Sequence, residues 1–160
     1  MPAERLKPEE HAALGDLGAV VDCRRVRLYR RSEGGAGLLR SAVLWASRNR
    51  AVALGNHVFL PDHCHDDLPT LAHELTHCGQ FQAWGFRRYF TRGVIAQVRA
   101  LLHRRLGIGT NPYRYQAESG KPFREYGMEQ QGQIVEDCFR GHPAAQNISP
   151  FRPGRESEGP

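Results

Sequence analysis

Residues 70–80 read TLAHELTHCGQ and contain the pattern His-Glu-x-x-His, which decides how the rest of the sequence is interpreted. His73 and His77 are four residues apart, so on a helix they lie one turn apart on the same face. Two imidazoles in this arrangement can bind one Zn²⁺ from the same side. Glu74 follows the first histidine, where its carboxylate can accept a proton from a water molecule on the metal. The pattern therefore predicts a site for one zinc ion that carries out hydrolysis.

The flanking sequence predicts that this pattern lies on a helix. Asp67 can cap the first turn, and Pro69 stands near the first helical position, where its missing N–H costs nothing. The helix is expected to end at about Trp84, before Gly85. Residues at spacings i, i+4 and i+7 form an apolar stripe for the core, namely Leu71, Leu75 and Cys78. The histidines fall outside this stripe, which favours a role as ligands over a role in the core.

Short strands are predicted ahead of the helix. Residues 26–30 alternate apolar and basic side chains, a pattern typical of a strand. Residues 51–54 and 57–60 are two apolar runs joined by Gly55 and Asn56, which together predict a hairpin. The other N-terminal elements are a short helix over 8–17, a glycine-rich loop over 32–37, and a segment over 38–47 that is compatible with either strand or helix.

Helices are predicted for most of the second half. One covers residues 91–106 and ends at Gly107, a loop covers 110–122, and a last helix covers 124–140. The predicted fold class is α+β, with a small sheet or hairpin in the N-terminal half and the His-Glu-x-x-His helix with two further helices in the C-terminal half. The length suits one domain, predicted over residues 1–147, and the Pro-, Gly-, Glu- and Arg-rich residues 148–160 are predicted to be a disordered tail.

A third metal ligand is expected on the last helix, because catalytic zinc sites keep three protein ligands and one open position. Glu129, Gln133 and Glu136 lie at i, i+4 and i+7 and form one polar stripe. A stripe of this kind is expected both for carboxylates that face a metal and for an ordinary solvated helix face. The spacing alone leaves the choice between Glu129 and Glu136 open.

A second cluster of metal-capable side chains precedes the helix at His63, Cys64 and His65. In an extended conformation, the two histidines of this tripeptide would face the same way. The cluster would then supply a further ligand or a second weak site. The preferred interpretation is a polar loop whose histidines bind nothing.

Amide hydrolysis also needs a donor that stabilises the developing oxyanion. Tyr113, Arg114, Tyr115 and Tyr126 are the candidates, because they lie in or next to the loop between the two ligand helices. Tyr126 precedes Glu129 by three residues and should lie near the same helix face. Tyr126 and Tyr115 are therefore expected to act beside Glu74, with simple packing of the rings as the alternative.

Charge and composition limit the classes of partner. The chain has 22 Lys+Arg against 17 Asp+Glu, a net charge of +5. Because no nucleic-acid-binding motif is present, the excess is interpreted as a solvated basic face. Nucleic-acid binding through the arginines around the third helix is the weaker alternative. The four cysteines have irregular spacing and no CxxC, so free thiols are expected. The sequence says nothing about oligomeric state.

Targeting signals are not evident in the sequence. The N-terminus has no apolar run after a basic start, and no stretch approaches the roughly 20 apolar residues that span a bilayer. The expectation is a cytoplasmic protein without a membrane partner, with secretion by a route that needs no signal peptide left open.

The quoted residues also resemble a known family. TLAHELTHCGQ is similar to the LLAHELTHVVQ core of the zinc metallopeptidase domain found at extracellular contractile injection system loci, the eCIS-core family. Three further segments look like its strand, its hairpin and its acidic-ligand helix: VDCRRVRLYRR (21–31), ALGNHVFLPD (53–62) and YGMEQQGQIVEDCF (126–139). The resemblance covers roughly residues 15–140 and implies a zincin fold.

The resemblance implies zinc on His73, His77 and Glu129, with Glu74 as the general base. In several Glu-zincin families the third ligand opens an ExxAD or ExxxD pattern, and its Asp supports a zinc-bound histidine. Here Gly132 takes the small position and Gln133 stands in place of the Asp. Gln133 can accept a hydrogen bond from an imidazole N–H but brings no charge.

Two functions are compatible with these residues. One is a zinc-dependent metallopeptidase that hydrolyses a peptide or protein substrate through a zinc-activated water. The other is a catalytically weak or silent zinc-binding module that acts in assembly or partner binding, in a secretion or phage-like particle or beside a toxin. Neither the motifs nor the resemblance identifies a substrate.

Overall fold

The structure, a computed structural model, describes residues 3–30, 37–107, 109, 111, 113–118 and 120–154. Within these residues, six helices accompany one three-stranded mixed sheet, which confirms the predicted α+β class. No helix in the described ranges is both long enough and apolar enough to cross a membrane.

The sheet has the strand order β1-β3-β2. Strand β1 (Arg27–Tyr29) runs parallel to β3 (His57–Phe59), and β2 (Val52–Leu54) runs antiparallel to β3. The turn between β2 and β3 contains Gly55 at φ +66°, a conformation that favours glycine. Both predicted features, the early strand and the hairpin, are confirmed. Strand β2 lies at an edge of the sheet.

The predicted first helix is two helices, α1 (Pro8–Ala13) and α2 (Asp16–Val20). Gly15 separates them with φ +52°, and a Cβ on this residue would meet the backbone of Arg152 and Pro153. The break therefore reflects a tertiary contact with the C-terminal segment, which no local sequence pattern reveals.

The ambiguous segment over 38–47 forms a helix, α3 (Gly37–Ala46). The buried side chain of Arg40 on this helix donates to the carbonyl oxygen of Leu60 at 2.7 Å and to the carboxylate of Asp62 at 2.6 Å. These bonds hold α3 at the end of strand β3. The predicted glycine-rich loop lies outside the described residues except for Gly37.

Helix α4 (Leu68–Leu106) carries the His-Glu-x-x-His pattern and is sharply kinked. The Asp67 carboxylate accepts a hydrogen bond from the Thr70 N–H at 3.1 Å, as the predicted cap requires. Gly85 has φ 77° and ψ 170°, so the helix is interrupted where its end was predicted. It resumes directly after Gly85 instead of at residue 91, and it ends at Gly107. We call residues 68–84 the first part of α4 and residues 86–106 the second part.

Helix α5 (Met128–Phe139) follows a 3-10 turn over Phe123–Glu125, and a short helix α6 (Pro143–Ile148) comes after it. The last helix of the prediction thus starts four residues later than expected. Residues 149–154 were predicted to belong to a disordered tail, but they pack on the N-terminal helices. The Gly154 N–H donates to the Ala13 carbonyl at 2.8 Å. The folded part therefore extends past residue 147, and residues 155–160 lie outside the described ranges.

The core lies between the sheet, the N-terminal helices and the first part of α4. Leu71, Leu75 and Cys78 are buried in it, which confirms the predicted stripe. The opposite face of the same helix segment packs on α5, and both faces are therefore buried. All four cysteines are free thiols.

Candidate metal centre

The contact between α4 and α5 brings His73, His77 and Glu129 together. Their potential ligand atoms all lie within 4.8 Å of one another. The three residues are 9%, 6% and 8% exposed, and His77 Nε2 is 3.6 Å from Glu129 Oε2. This buried group could hold a metal ion. The spacing of the histidines predicted two of its members, and the family resemblance implied Glu129 as the third.

Each histidine is oriented through its Nδ1 atom. Nδ1 of His73 is 3.0 Å from Glu136 Oε2, and Nδ1 of His77 is 2.8 Å from Gln80 Oε1. Because both partners are acceptor oxygens, Nδ1 carries the proton in each ring and Nε2 is left as the ligand atom. Gln80 is held in turn by a bond from its amide to Gln131 Oε1 at 2.9 Å.

The structure corrects the expected role of Gln133. Its amide donates to Asp137 Oδ1 at 2.9 Å, and within the described residues it makes no hydrogen bond to an imidazole. The charged partner of His73 is Glu136, which the sequence had offered as an alternative ligand. Arg140 donates to Glu136 Oε1 at 3.0 Å and to the helix-capping Asp67 at 2.8 Å. Arg140 was not anticipated, although its i+4 spacing from Glu136 is a recognisable signal.

The ionisation of Glu136 follows from these contacts. Burial alone would raise the pKa of this carboxyl, but the hydrogen bonds from His73 and Arg140 outweigh burial and hold it below its usual value. An ionised carboxylate therefore supports His73. Glu136 supplies the negative charge that the family pattern would place on an Asp at position 133.

Gly132 makes the close approach of α5 to His73 possible. A Cβ at this position would lie 2.7 Å from His73 Nε2 and 2.9 Å from its Cδ2. No side chain larger than hydrogen fits there without displacing the ring. The small position of the sequence pattern thus has a direct steric reason.

Glu74 is buried beside the two histidines. The residue is 5% exposed, and its Oε2 atom has no hydrogen-bond partner among the described residues. Burial raises the pKa of this carboxyl, and the charges of His73 and His77 only partly oppose the increase. Burying a carboxylate oxygen without a hydrogen-bond partner costs free energy, and a functional role would explain why the protein keeps it.

His77 and Glu129 form a coupled pair in the metal-free protein. Burial alone would lower the pKa of the His77 ring, but the charges of Glu129 and Glu74 and the bond to Gln80 raise it to about 9. For Glu129, burial alone would raise the pKa, but the charge of His77 outweighs it and keeps the pKa below its ordinary value. The pair is therefore held together as imidazolium and carboxylate near neutral pH.

A cavity of about 1100 Å³ opens onto this group. Its lining includes the metal-capable group and the neighbouring carboxylate, namely His73, His77, Glu129 and Glu74. Its walls come from the end of α3, strand β2, the second part of α4 and Tyr113. Many of the wall side chains are apolar, among them Val43, Val52, Leu54, Phe90, Val94 and Val98.

The two tyrosines that the sequence predicted beside Glu74 lie elsewhere. The Tyr115 hydroxyl donates to Asp137 Oδ2 at 2.8 Å, and the buried Tyr126 hydroxyl donates to the Gln116 carbonyl at 3.3 Å. Neither residue lines the cavity, so the structure does not bring them to Glu74. Tyr113, the other tyrosine candidate in the loop, does line the cavity, and burial raises the pKa of its phenol.

The cluster at His63, Cys64 and His65 is not extended. Asp62–Cys64 form a 3-10 turn, so the two histidines do not face the same way as they would in a strand. His65 contacts the Asp62 carbonyl and the Asp66 carboxylate, whereas His63 and Cys64 line the cavity. Within the described residues, the cluster does not join a metal-capable group.

The chain matches none of the protein families, curated proteins or solved structures with which it was compared. Its chemistry is therefore inferred from the site alone: a buried group that could hold a metal, a carboxylate oxygen of Glu74 that has no partner among the described residues, and a cavity that both residue sets line.

Proposed function

We propose that the chain is a zinc-dependent peptidase with a zincin-like fold, in which His73, His77 and Glu129 bind one Zn²⁺ and Glu74 is the general base. The observation that carries the proposal is Glu74 Oε2, a buried carboxylate oxygen beside the metal-capable group that has no hydrogen-bond partner among the described residues, on a residue that lines the cavity. A purely structural metal site has no need of such a carboxylate.

The donor set fits zinc. Two imidazole nitrogens and one carboxylate oxygen are the ligands of many hydrolytic zinc sites, which keep a further position for water or substrate. The cavity provides access to such a position. When bound there, zinc would lower the pKa of a water molecule to about 7 and polarise a carbonyl group.

The side chains around the group have distinct tasks in this proposal. Glu74 Oε2 receives the proton of the attacking water and delivers it to the leaving nitrogen, a task suited to a carboxyl whose pKa is raised. Glu136 and Gln80 hold the two imidazoles by their Nδ1 atoms. Tyr113, which lines the cavity, would donate to a developing oxyanion, in place of Tyr115 and Tyr126.

The test compares two variants. Glu74→Gln is expected to keep about one zinc per chain while losing peptide cleavage, with a fall in kcat of about a hundredfold or more. His77→Ala is expected to lose the metal. Metal analysis of the purified proteins and cleavage of a quenched fluorescent peptide library give the two readouts. Cleavage by Glu74→Gln at the wild-type rate would refute the mechanism.

The same experiment separates the alternative function. A zinc-binding module without catalysis would hold zinc through His77 in the same way, yet the wild-type protein would cleave no member of the library. No feature of the site favours that alternative, because it assigns no task to the unpartnered Glu74 oxygen.

A further inference from the structure

The cavity that reaches the metal-capable group has a partly apolar wall. Val94 and Val98 line the cavity from the second part of α4, yet they are 62% and 49% exposed. Leu54 of the edge strand β2 also lines the cavity and is 41% exposed. These side chains contribute little to the protein core, so apolar surface is left facing the cavity that the metal-capable group also lines.

The same part of α4 is strongly cationic. Residues 86–106 contain six arginines and no aspartate or glutamate. Apolar and basic residues share one stripe along this helix, because successive members are 7, 4, 3 and 4 residues apart. The stripe consists of Arg87, Val94, Val98, Leu101 and Arg105. The apolar wall is thus flanked along the helix by positive charge.

The cavity lining adds a further cation. Each acidic side chain in the lining lies at the metal-capable group or is paired with an arginine. Arg50 lines it, with its guanidinium carbon 5.9 Å from the centre of the Tyr113 ring, and no described acidic residue lies within ion-pair distance of it. The acids at the cavity already have tasks: Glu74 and Glu129 lie at the metal group, while Asp67 and Glu136 bind Arg140. Pairing with a second copy of this cationic helix is disfavoured by repulsion.

We propose that the cavity selects an extended peptide segment with a bulky apolar side chain packed against Val94 and Val98 and acidic residues directed toward Arg50 and the cationic second part of α4. This assignment of a substrate class rests on the proposed peptidase function. The apolar wall provides the contact next to the metal group, and the arginines attract the flanking carboxylates.

The test measures binding, so it does not depend on turnover. The zinc-loaded Glu74→Gln protein is titrated against three fluorescein-labelled peptides by anisotropy at physiological ionic strength. One has a Leu-Phe centre and Asp/Glu flanks, the second has the same centre with Lys flanks, and the third has a Ser-Gly centre with Asp/Glu flanks. The first is expected to bind about tenfold more tightly than either of the others.

Matched variants locate the contact. Val94→Ser should weaken the first peptide about tenfold, the loss expected when one valine-sized apolar contact is removed. Ile95→Ser is the control, since Ile95 is adjacent, 47% exposed and outside the cavity wall. Arg50→Glu should reduce the preference for acidic flanks. The control Arg25→Glu changes the net charge equally at an exposed residue outside both the cavity wall and α4, and it should leave that preference unchanged.

Three outcomes would overturn the assignment: equal binding of the three peptides, equal effects of Val94→Ser and Ile95→Ser, or displacement of the first peptide by an equal concentration of a DNA oligonucleotide. Failure of the peptidase proposal has a different signature. If the protein prefers the first peptide but the wild type cleaves none, the peptidase proposal is rejected and the binding specificity is kept. If the wild type cleaves peptides without this preference, the peptidase proposal is kept and the binding specificity is rejected.

Discussion

Residue 132 shows how one missing side chain shapes the metal group. The α5 backbone approaches the His73 ring so closely that a Cβ would lie 2.7 Å from Nε2, the atom left for the metal. The ring is held from its other side by the bond between Nδ1 and Glu136. The ring therefore cannot move away from α5 without losing that bond.

Gly132→Ala is predicted to displace the His73 ring and weaken zinc binding by about tenfold or more, the range seen when the support of a ligand is disturbed. Competition with a chromophoric chelator measures the affinity. Gly93→Ala is the matched control, because a Cβ there meets nothing within 4 Å. Equal affinities of the two variants would contradict the steric account.

The charge on His77 has a consequence for metal binding. Its pKa is raised to about 9 in the metal-free protein, so the ring is protonated at neutral pH, whereas a ligand imidazole must be neutral. Zinc binding at pH 7 should therefore release about one proton from this ring. The affinity should rise by about tenfold for each pH unit up to the pKa and then level off.

Calorimetric titration with zinc in two buffers of different ionisation enthalpy would count this proton. A binding enthalpy that does not depend on the buffer would contradict the assigned charge state of His77. The Glu129 carboxyl should contribute no proton, because its pKa is held below its ordinary value.

At the scale of the element, α4 combines two environments in one helix. Its first part is buried on both faces and carries His73 and His77, and its second part is largely exposed and forms a wall of the cavity. The change of direction between them occurs at Gly85. With φ 77° and ψ 170°, this residue adopts a conformation that is essentially restricted to glycine.

Two glycine-to-alanine substitutions on α4 should therefore have opposite effects. Gly85→Ala is expected to lower the free energy of unfolding by about 1–3 kcal/mol because of backbone strain. Gly93→Ala, in a regular helical turn with open space around it, should raise it by about 0.5–1 kcal/mol. Urea unfolding of both variants is the measurement, and stabilisation by Gly85→Ala would show that the kink is not required.

At the scale of the whole molecule, the folded domain places ionisable groups in a buried site between α4 and α5. Glu74, His77 and Glu129 are each less than 10% exposed, which is costly without a counter-charge. A metal that binds only the folded state stabilises it in proportion to the logarithm of its concentration.

Zinc at about a hundredfold excess over its Kd should raise the free energy of unfolding of the wild type by about 3 kcal/mol, which corresponds to an increase in Tm of about 5–10 °C. Differential scanning fluorimetry with zinc and with EDTA gives the two values. The Tm of His77→Ala should not respond. A similar increase in that variant would indicate nonspecific binding.

The sequence by itself determined those features that depend on neighbours along the chain. The hairpin at Gly55, the Asp67 cap and the interruption at Gly85 follow from local backbone preferences, and the one-turn spacing places His73 and His77 on one face. These were predicted correctly because the interactions that fix them act within a few residues.

Only the tertiary structure decided which side chains meet across elements. Spacing placed Glu129 and Glu136 on one stripe. The docking of α5 on α4 brought Glu129 into the metal-capable group and made Glu136 the partner of His73. The same docking left Tyr115 and Tyr126 outside the cavity. The break at Gly15 and the packing of residues 149–154 likewise depend on contacts between the two chain ends. Such contacts depend on the packing of elements distant in sequence, which local preferences do not encode.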